Sequence, residues 1–206
     1  MDTKTLLILA KRVNELLARK DVQGIVITHG TDTLEETAYF LNLTVKSKKP
    51  VVLVGAMRPA TAMSADGPMN LLNAVRVAVS KDAVGKGVLI AMNDTINGAR
   101  DATKTNTTNM ATFKAPELGA LGYIAGGKVM FYKASTRRHT AMSEFNVKGL
   151  MEHPERMIDV EWDGAADTLF QVEIVVECLD RMGLLKDITV AIGDAGANIL
   201  SAATQT

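Results

Sequence analysis

The chain has 206 residues, of which 47% are hydrophobic and only 4% aromatic. This composition excludes wholesale disorder and predicts a core built mainly from aliphatic side chains. The formal net charge is zero, which argues against nucleic acid or an anionic membrane as a partner. No apolar run approaches the roughly 20 residues that span a membrane. Charged residues interrupt the first apolar segment, so no signal peptide is predicted and we expect a cytoplasmic chain.

The balanced charge hides two parts of opposite sign. Residues 1–148 carry 20 Lys and Arg against 12 Asp and Glu, a net charge of +8, whereas residues 149–206 carry 3 against 11, a net charge of −8. A change this sharp indicates two regions with different surfaces. We therefore predict a first domain over 1–148, followed by a separate segment over 149–206.

Helical and strand patterns alternate through the first region. In chain order they predict a helix over 3–19, a strand over 24–28, a helix over 33–45, a strand over 51–54, a helix over 68–80 and a strand over 87–91. Short connections between such elements are typical of an α/β fold with a doubly wound parallel sheet. Ligands of these sheets bind beyond the carboxyl ends of the strands. Those ends are polar and are formed here by 29–33, 55–66 and 92–95.

The rest of the chain differs in composition and hydrophobic pattern. Residues 92–118 are rich in Thr and Asn and have the composition of a long functional loop. Two short runs that flank Gly126-Gly127 predict a β-hairpin over 122–132. Residues 134–156 are polar and predict a linker. A strand over 169–179, a helix over 184–192 and a strand from 199 predict a further βαβ unit in the tail.

Thr31, Asp32 and Thr33 lie where a strand gives way to a helix. Side chains of this kind often do no more than cap the helix. The alternative is chemical, because a threonine hydroxyl needs a neighbouring base to act as a nucleophile. Lys104, in the polar loop, can be that base if its surroundings favour the neutral amine, and Asp32 can pair with it or bind a substrate ammonium. Thr31, Lys104 and Asp32 thus form a workable acyl-transfer set if the fold brings them together.

Five blocks of the first region resemble the bacterial L-asparaginase family, and its type II branch in particular. They are Ile25-Val26-Ile27-Thr28-His29-Gly30-Thr31-Asp32-Thr33-Leu34-Glu35-Glu36-Thr37-Ala38, Val54-Gly55-Ala56-Met57-Arg58-Pro59, Met63-Ser64-Ala65-Asp66-Gly67-Pro68, Met92-Asn93-Asp94-Thr95 and Lys104-Thr105-Asn106-Thr107-Thr108. The blocks occur in the family's order and spacing from residue 1 to about 148.

This resemblance implies roles for the matching positions. Thr31, Lys104 and Asp32 correspond to the family's catalytic triad, with Asp32 also binding the substrate's α-ammonium, and Gly30 and Ala56 hold substrate through their backbone. The implied reaction is hydrolysis of asparagine, and often of glutamine, without a metal or another cofactor. The family's enzymes are homo-oligomers with sites between subunits, and full-length type II relatives include periplasmic proteins.

The sequence also departs from the family. It lacks the Thr-Gly-Gly-Thr-Ile-Ala motif that carries the family's other essential threonine, and it lacks the family's C-terminal domain. We therefore expect the chain by itself to be inactive or only weakly active.

The tail resembles the start of an ACT domain of the RelA/SpoT kind. The blocks that carry this resemblance are Pro154-Glu155-Arg156-Met157-Ile158-Asp159-Val160-Glu161-Trp162, Asp180-Arg181-Met182-Gly183-Leu184-Leu185-Lys186-Asp187-Ile188-Thr189 and Ala197-Asn198-Ile199-Leu200-Ser201. ACT domains bind amino acids or associate with one another, and Asp180 and Gly183 are the candidate amino-acid site. Two alternatives to an asparaginase thus stay open: an amino-acid-binding or association module, and a chimeric fragment without function.

Neither metal binding nor disulfide formation is predicted. The three histidines, His29, His139 and His153, are scattered without a ligand-like spacing, and we interpret His29 as a residue with a local hydrogen bond. The single cysteine, Cys178, has no partner within the chain.

Overall fold

The computed structural model describes residues 2–147. The predicted tail elements, His153, Cys178 and the candidate pair Asp180 and Gly183 lie outside the described residues.

The described elements follow the predicted order closely. They are α1 (Thr3–Ala18), β1 (Ile25–Thr28), α2 (Leu34–Thr44), β2 (Val51–Val54), α3 (Gly67–Val79), β3 (Val88–Met92), β4 (Thr95–Gly98), β5 (Thr103–Lys104), β6 (Phe113–Lys114), β7 (Gly122–Ala125) and β8 (Lys128–Phe131), with 3-10 turns at Lys81–Ala83 and Thr140–Met142. The first six predicted elements are confirmed to within one or two residues. None of the helices among residues 2–147 combines the length and apolar character needed to cross a membrane.

Six strands form the main sheet in the order β1-β2-β3-β4-β7-β8. The predicted parallel arrangement is confirmed for β1, β2 and β3, and the predicted hairpin is confirmed as β7 and β8. From β3 onward each strand is antiparallel to its neighbour, so the sheet is mixed. Every residue of β2 and β3 is buried. Both faces of the sheet centre are therefore covered, as a doubly wound sheet requires.

Helices α2 and α3 pack on the parallel strands, and α1 packs on α2. The buried residues of α1 recur at helical spacing, which is the stripe that its sequence pattern predicts; they are Leu7, Ala10, Val13 and Leu17. Asp2 caps this helix by accepting a hydrogen bond from the backbone N–H of Thr5 at 2.7 Å.

The segment from 92 to 118 is not the unstructured loop that its composition indicates. Asn93 and Asp94, with φ of 50° and 58°, form a two-residue turn that sends the chain back as β4 beside β3. Asn and Asp tolerate this left-handed conformation better than most residues do. The side chains of two α3 residues hold the turn: Asn70 accepts from the N–H of Asn93 at 3.0 Å, and Asn73 donates to Asp94 at 2.7 Å.

The linker predicted over 134–156 is wrong for residues 139–143. His139, Thr140 and Ser143 are buried, and Lys46 donates from Nζ to the carbonyl of Ser143 at 2.6 Å. Gly87 lies against this segment: its φ is 84°, and a Cβ there would lie 2.7 Å from Oδ1 of Asn42 and 3.3 Å from Nδ1 of His139. Three side chains of this segment are therefore packed against the folded region, while Met142 stays exposed.

Candidate active site

Three predicted residues meet at the carboxyl end of β1. Nζ of Lys104 lies 3.0 Å from Oγ1 of Thr31 and 2.7 Å from Oδ1 of Asp32, and it donates a hydrogen bond to each. Thr31 and Asp32 belong to the loop between β1 and α2, whereas Lys104 ends β5. The fold thus joins residues more than 70 positions apart into the constellation that the sequence predicts.

The two charged members differ in exposure. The Lys104 side chain is 16% exposed and that of Asp32 is 95% exposed. The hydrogen bond from Lys104, and then its positive charge, lower the pKa of Asp32 below its ordinary value. Asp32 is therefore a carboxylate at neutral pH, with one side on Lys104 and much of its surface open to a cationic ligand.

Helix capping does not account for this loop. Thr33 is the N-cap residue of α2, yet its side chain makes no capping hydrogen bond. Thr31 and Asp32 are instead engaged by Lys104. The geometry favours the chemical interpretation over the capping one.

The backbone positions predicted to hold substrate lie in neighbouring loops. A Cβ on Gly30 would meet nothing within 4 Å, so the space beside this backbone is open. Ala56 follows Gly55, where a Cβ would lie 2.8 Å from the His29 carbonyl and 3.1 Å from Cγ2 of Thr31. The loop after β2 is thus in van der Waals contact with the loop after β1. The role of Gly30 and Ala56 in binding stays a prediction.

Sequence reasoning missed the residues that shape this second loop. Asp66 accepts hydrogen bonds from the N–H groups of Met57 at 3.0 Å and Arg58 at 2.9 Å. Asn70, which is buried, donates to Asp66 at 3.0 Å and to the Gly55 carbonyl at 3.1 Å. Burial alone raises the pKa of Asp66, but these backbone and amide donors outweigh it and lower the pKa. Asp-Gly-Pro before a helix predicts only a cap, so no local signal pointed to this role.

Glu35 is the other residue that the sequence did not assign to the site. As an acidic residue in the first turn of α2 it suits the positive end of the helix. In the structure its carboxylate accepts hydrogen bonds from Thr103 and from the backbone N–H of Lys104.

The interpretation of His29 is confirmed. Its Nε2 lies 3.0 Å from Oγ1 of Thr37, and its Nδ1 lies 2.6 Å from the Gly30 carbonyl oxygen. Within residues 2–147 no group of three or more His, Cys, Asp or Glu side chains could hold a metal ion.

Known proteins resemble both regions of the chain. Residues 1–137 match the family model described as asparaginase, N-terminal, and residues 166–206 match that of the ACT domain. The chain is 56% identical over 174 residues to L-asparaginase 2 of Bacillus subtilis (strain 168), covering 84% of this chain and 46% of that protein. It is 52% identical over 168 residues to the glutaminase-asparaginase of Pseudomonas fluorescens biotype A, covering 82% and 46%.

A solved structure agrees with these relatives. The crystal structure of a probable cytoplasmic L-asparaginase from Campylobacter jejuni superposes with a TM-score of 0.71 at 55% identity and covers 73% of this chain and 48% of that one. The chain spans about half the length of the curated relatives it matches. Because the family model covers well over half of its residues, the chain belongs to the asparaginase family.

Proposed function

We propose that this chain provides a site for hydrolysis of the side-chain amide of L-asparagine to L-aspartate and ammonia. The observation that carries the proposal is the simultaneous contact of Lys104 Nζ with the Thr31 hydroxyl and the Asp32 carboxylate. The relatives named L-asparaginase and glutaminase-asparaginase support this substrate class.

Each member of the site has a distinct task in this proposal. In this role Asp32, exposed and ionised, binds the α-ammonium of the substrate, and the backbone at Gly30 and Ala56 is proposed to hold the rest of it. Proton transfer from Thr31 requires neutral Lys104.

The reaction balances without a metal or cofactor. An oxygen adds to the amide carbon and its proton passes to Lys104; the C–N bond then breaks and the nitrogen takes that proton to leave as ammonia. If the oxygen belongs to Thr31, an ester forms that water hydrolyses to the acid. If it belongs to a water molecule that Thr31 holds, the acid forms directly.

The test is ammonia release from L-asparagine, with L-glutamine assayed separately to rank the two substrates. Thr31→Ala and Lys104→Met are each expected to lower the rate at least 100-fold, since a positioned acid–base group contributes about that much or more. Thr33→Ala is the matched control, because the Thr33 side chain makes no capping hydrogen bond. Equal ammonia release from the wild type and both variants would overturn the proposal.

Binding supplies a readout that does not depend on turnover, which we expect to be low for the chain alone. Calorimetry should show that Asp32→Asn weakens asparagine binding, because a neutral amide attracts the ammonium less than a carboxylate does. Asparagine binding that is unchanged in Asp32→Asn would contradict the role given to this carboxylate. A homo-oligomer and a cytoplasmic location stay predictions, to be measured by light scattering and by fractionation.

The ACT-domain match over 166–206 favours a second candidate, an amino-acid-binding or association module. Its predicted site is Asp180 and Gly183. Binding of a branched-chain amino acid that survives Thr31→Ala but is lost in Gly183→Trp would support an amino-acid-binding module. No binding to the wild-type chain would exclude amino-acid binding by the module.

A further inference from the structure

We propose that Glu35 is a positioning residue, whose carboxylate fixes the segment that carries Lys104 against the loop that carries Thr31 and Asp32. This inference rests on the proposed function of Lys104 and deepens it by naming what holds the lysine in place.

Both carboxylate oxygens of Glu35 are used by consecutive residues of β5. Oε1 accepts from the Thr103 hydroxyl at 3.0 Å, and Oε2 accepts from the backbone N–H of Lys104. Bonds to an ionised acceptor are stronger than neutral ones, and a two-point contact restricts rotation as well as distance. Glu35 therefore sets both the position and the orientation of the Lys104 backbone.

The strand geometry explains why a side chain is needed there. Successive N–H groups of a strand point to opposite sides. The N–H of Thr105 points toward the β6 side and donates to the Thr112 carbonyl at 2.8 Å, so the N–H of Lys104 points away from β6. Among the described strands β5 pairs only with the two-residue β6. Glu35 thus closes the free side of a very short strand.

Glu35 and the loop that carries Thr31 and Asp32 are adjacent in the chain. Glu35 lies in the first turn of α2, directly after the loop that holds Thr31 and Asp32. A lysine side chain is long and flexible, so Nζ reaches both partners reproducibly only if the Lys104 backbone is held. Glu35, on α2, binds that backbone and so keeps the Lys104 amine next to the loop that precedes the same helix.

The competing explanation is that Glu35 only complements the helix dipole. Glu36 distinguishes the two explanations, because it lies in the same turn but is exposed, and its side chain makes no hydrogen bond within residues 2–147. Glu36→Ala removes an equivalent charge from the helix end and leaves β5 untouched. It is the matched control for Glu35→Ala.

The decisive readout is the Asp32 carboxyl titration, followed by carbon NMR in the full chain. In the wild type the pKa of Asp32 lies below 3.8 because Lys104 donates to it, and Lys104→Met defines the value without that bond. We expect Glu35→Ala to raise the pKa of Asp32 toward the Lys104→Met value, and Glu36→Ala not to raise it. Loss of a nearby carboxylate lowers the pKa of Asp32, so a rise cannot come from the missing charge.

Two further variants separate positioning from general instability. Glu35→Gln can still accept from Lys104 and donate to Thr103, so it should keep the pKa of Asp32 near the wild-type value. Thr103→Val removes one of the two bonds with little change in volume and should give a smaller rise than Glu35→Ala. An Asp32 pKa in folded Glu35→Ala at or below that of the wild type would overturn the inference, as would a Thr103→Val value at the wild-type level.

Steady-state kinetics give a second test of the positioning role of Glu35, separate from the titration. If the chain hydrolyses asparagine, Glu35→Ala should lower kcat at least tenfold and change KM less than threefold, because Asp32 remains free to bind the ammonium. A loss confined to KM would contradict the positioning role. If the titration behaves as expected but the wild type neither binds asparagine nor releases ammonia from it, the proposed function fails and the role of Glu35 in placing Lys104 stands.

Discussion

Replacing Gly55 by alanine tests the contact between the two loops that border the site. The added Cβ would lie 2.8 Å from the His29 carbonyl oxygen, 3.1 Å from Cγ2 of Thr31 and 3.4 Å from Cδ1 of Leu34. The first contact is too short to persist. The His29 backbone cannot move freely, because its N–H donates to the Val54 carbonyl at 2.9 Å. Relief of the contact therefore strains this hydrogen bond and displaces the loop that carries Thr31 from the loop after β2.

Forcing an extra carbon into packed structure costs about 1–3 kcal/mol, and the lower entropy of the unfolded alanine chain offsets about 0.4–1 kcal/mol of that. We expect a net loss of about 1–2 kcal/mol in the free energy of unfolding. Urea titration measures this free energy directly. The melting temperature Tm should fall by about 2–4 °C per kcal/mol for a chain of this size.

Gly30→Ala is the matched control in the adjoining loop, because a Cβ there meets nothing within 4 Å. Its stability should stay within about 0.5 kcal/mol of the wild type. If Gly55→Ala is as stable as Gly30→Ala, the close contact between the loops is not present in the protein and the reasoning is refuted.

Two further predictions concern buried polar groups. Asn70→Ala removes an amide that hydrogen-bonds Gly55, Asp66 and Asn93. The partners left unpaired should lower the free energy of unfolding, measured by urea titration, by about 2–3 kcal/mol. A loss below about 0.5 kcal/mol would show that water replaces the amide. Burial, and then the charge of Arg100, lower the pKa of His139 below 6.5. Below pH 6.5 the unfolded chain therefore binds a proton that the folded chain does not yet bind. The free energy of unfolding should fall with pH until the folded-state pKa of His139 is reached. Urea titrations of His139→Gln should show a flatter decline between pH 7.5 and 5.5, and a decline equal to that of the wild type would assign the effect to another group.

The elements that local pattern predicts well are those whose burial repeats along the chain. The residues of β2 are apolar and β-branched with one exception, and they are buried on both faces. Helix α1 places its apolar residues at helical spacing, and the structure buries that stripe. Such elements can be predicted because each one's pattern is complete within its own residues.

Strand β4 could not be found in this way because its burial comes from neighbours distant in sequence. Its sequence, Thr-Ile-Asn-Gly, lacks an apolar run, yet it lies between β3 and β7 and its last three residues are buried. Asn97 is held there by one hydrogen bond, from its Nδ2 to the Phe113 carbonyl at 3.1 Å, while its buried Oδ1 has no partner among the described residues. A polar residue paired by tertiary contacts looks like a loop residue when only its sequence neighbours are considered. The one local clue was Asn93-Asp94, whose residue types suit a tight turn.

Prediction of the candidate site from sequence alone has the same limit. Residue types and family blocks predict Thr31, Asp32 and Lys104, but only the fold shows that one amine contacts both partners. The difference in exposure then separates their tasks. Lys104 is largely shielded while Asp32 is open to solvent, so the carboxylate is the more accessible of the two groups to a ligand. Changes at Asp32 should therefore act first on binding, whereas changes at Lys104, or at the Glu35 that holds it, should act on the step after binding. This order follows from the difference in exposure between the two side chains.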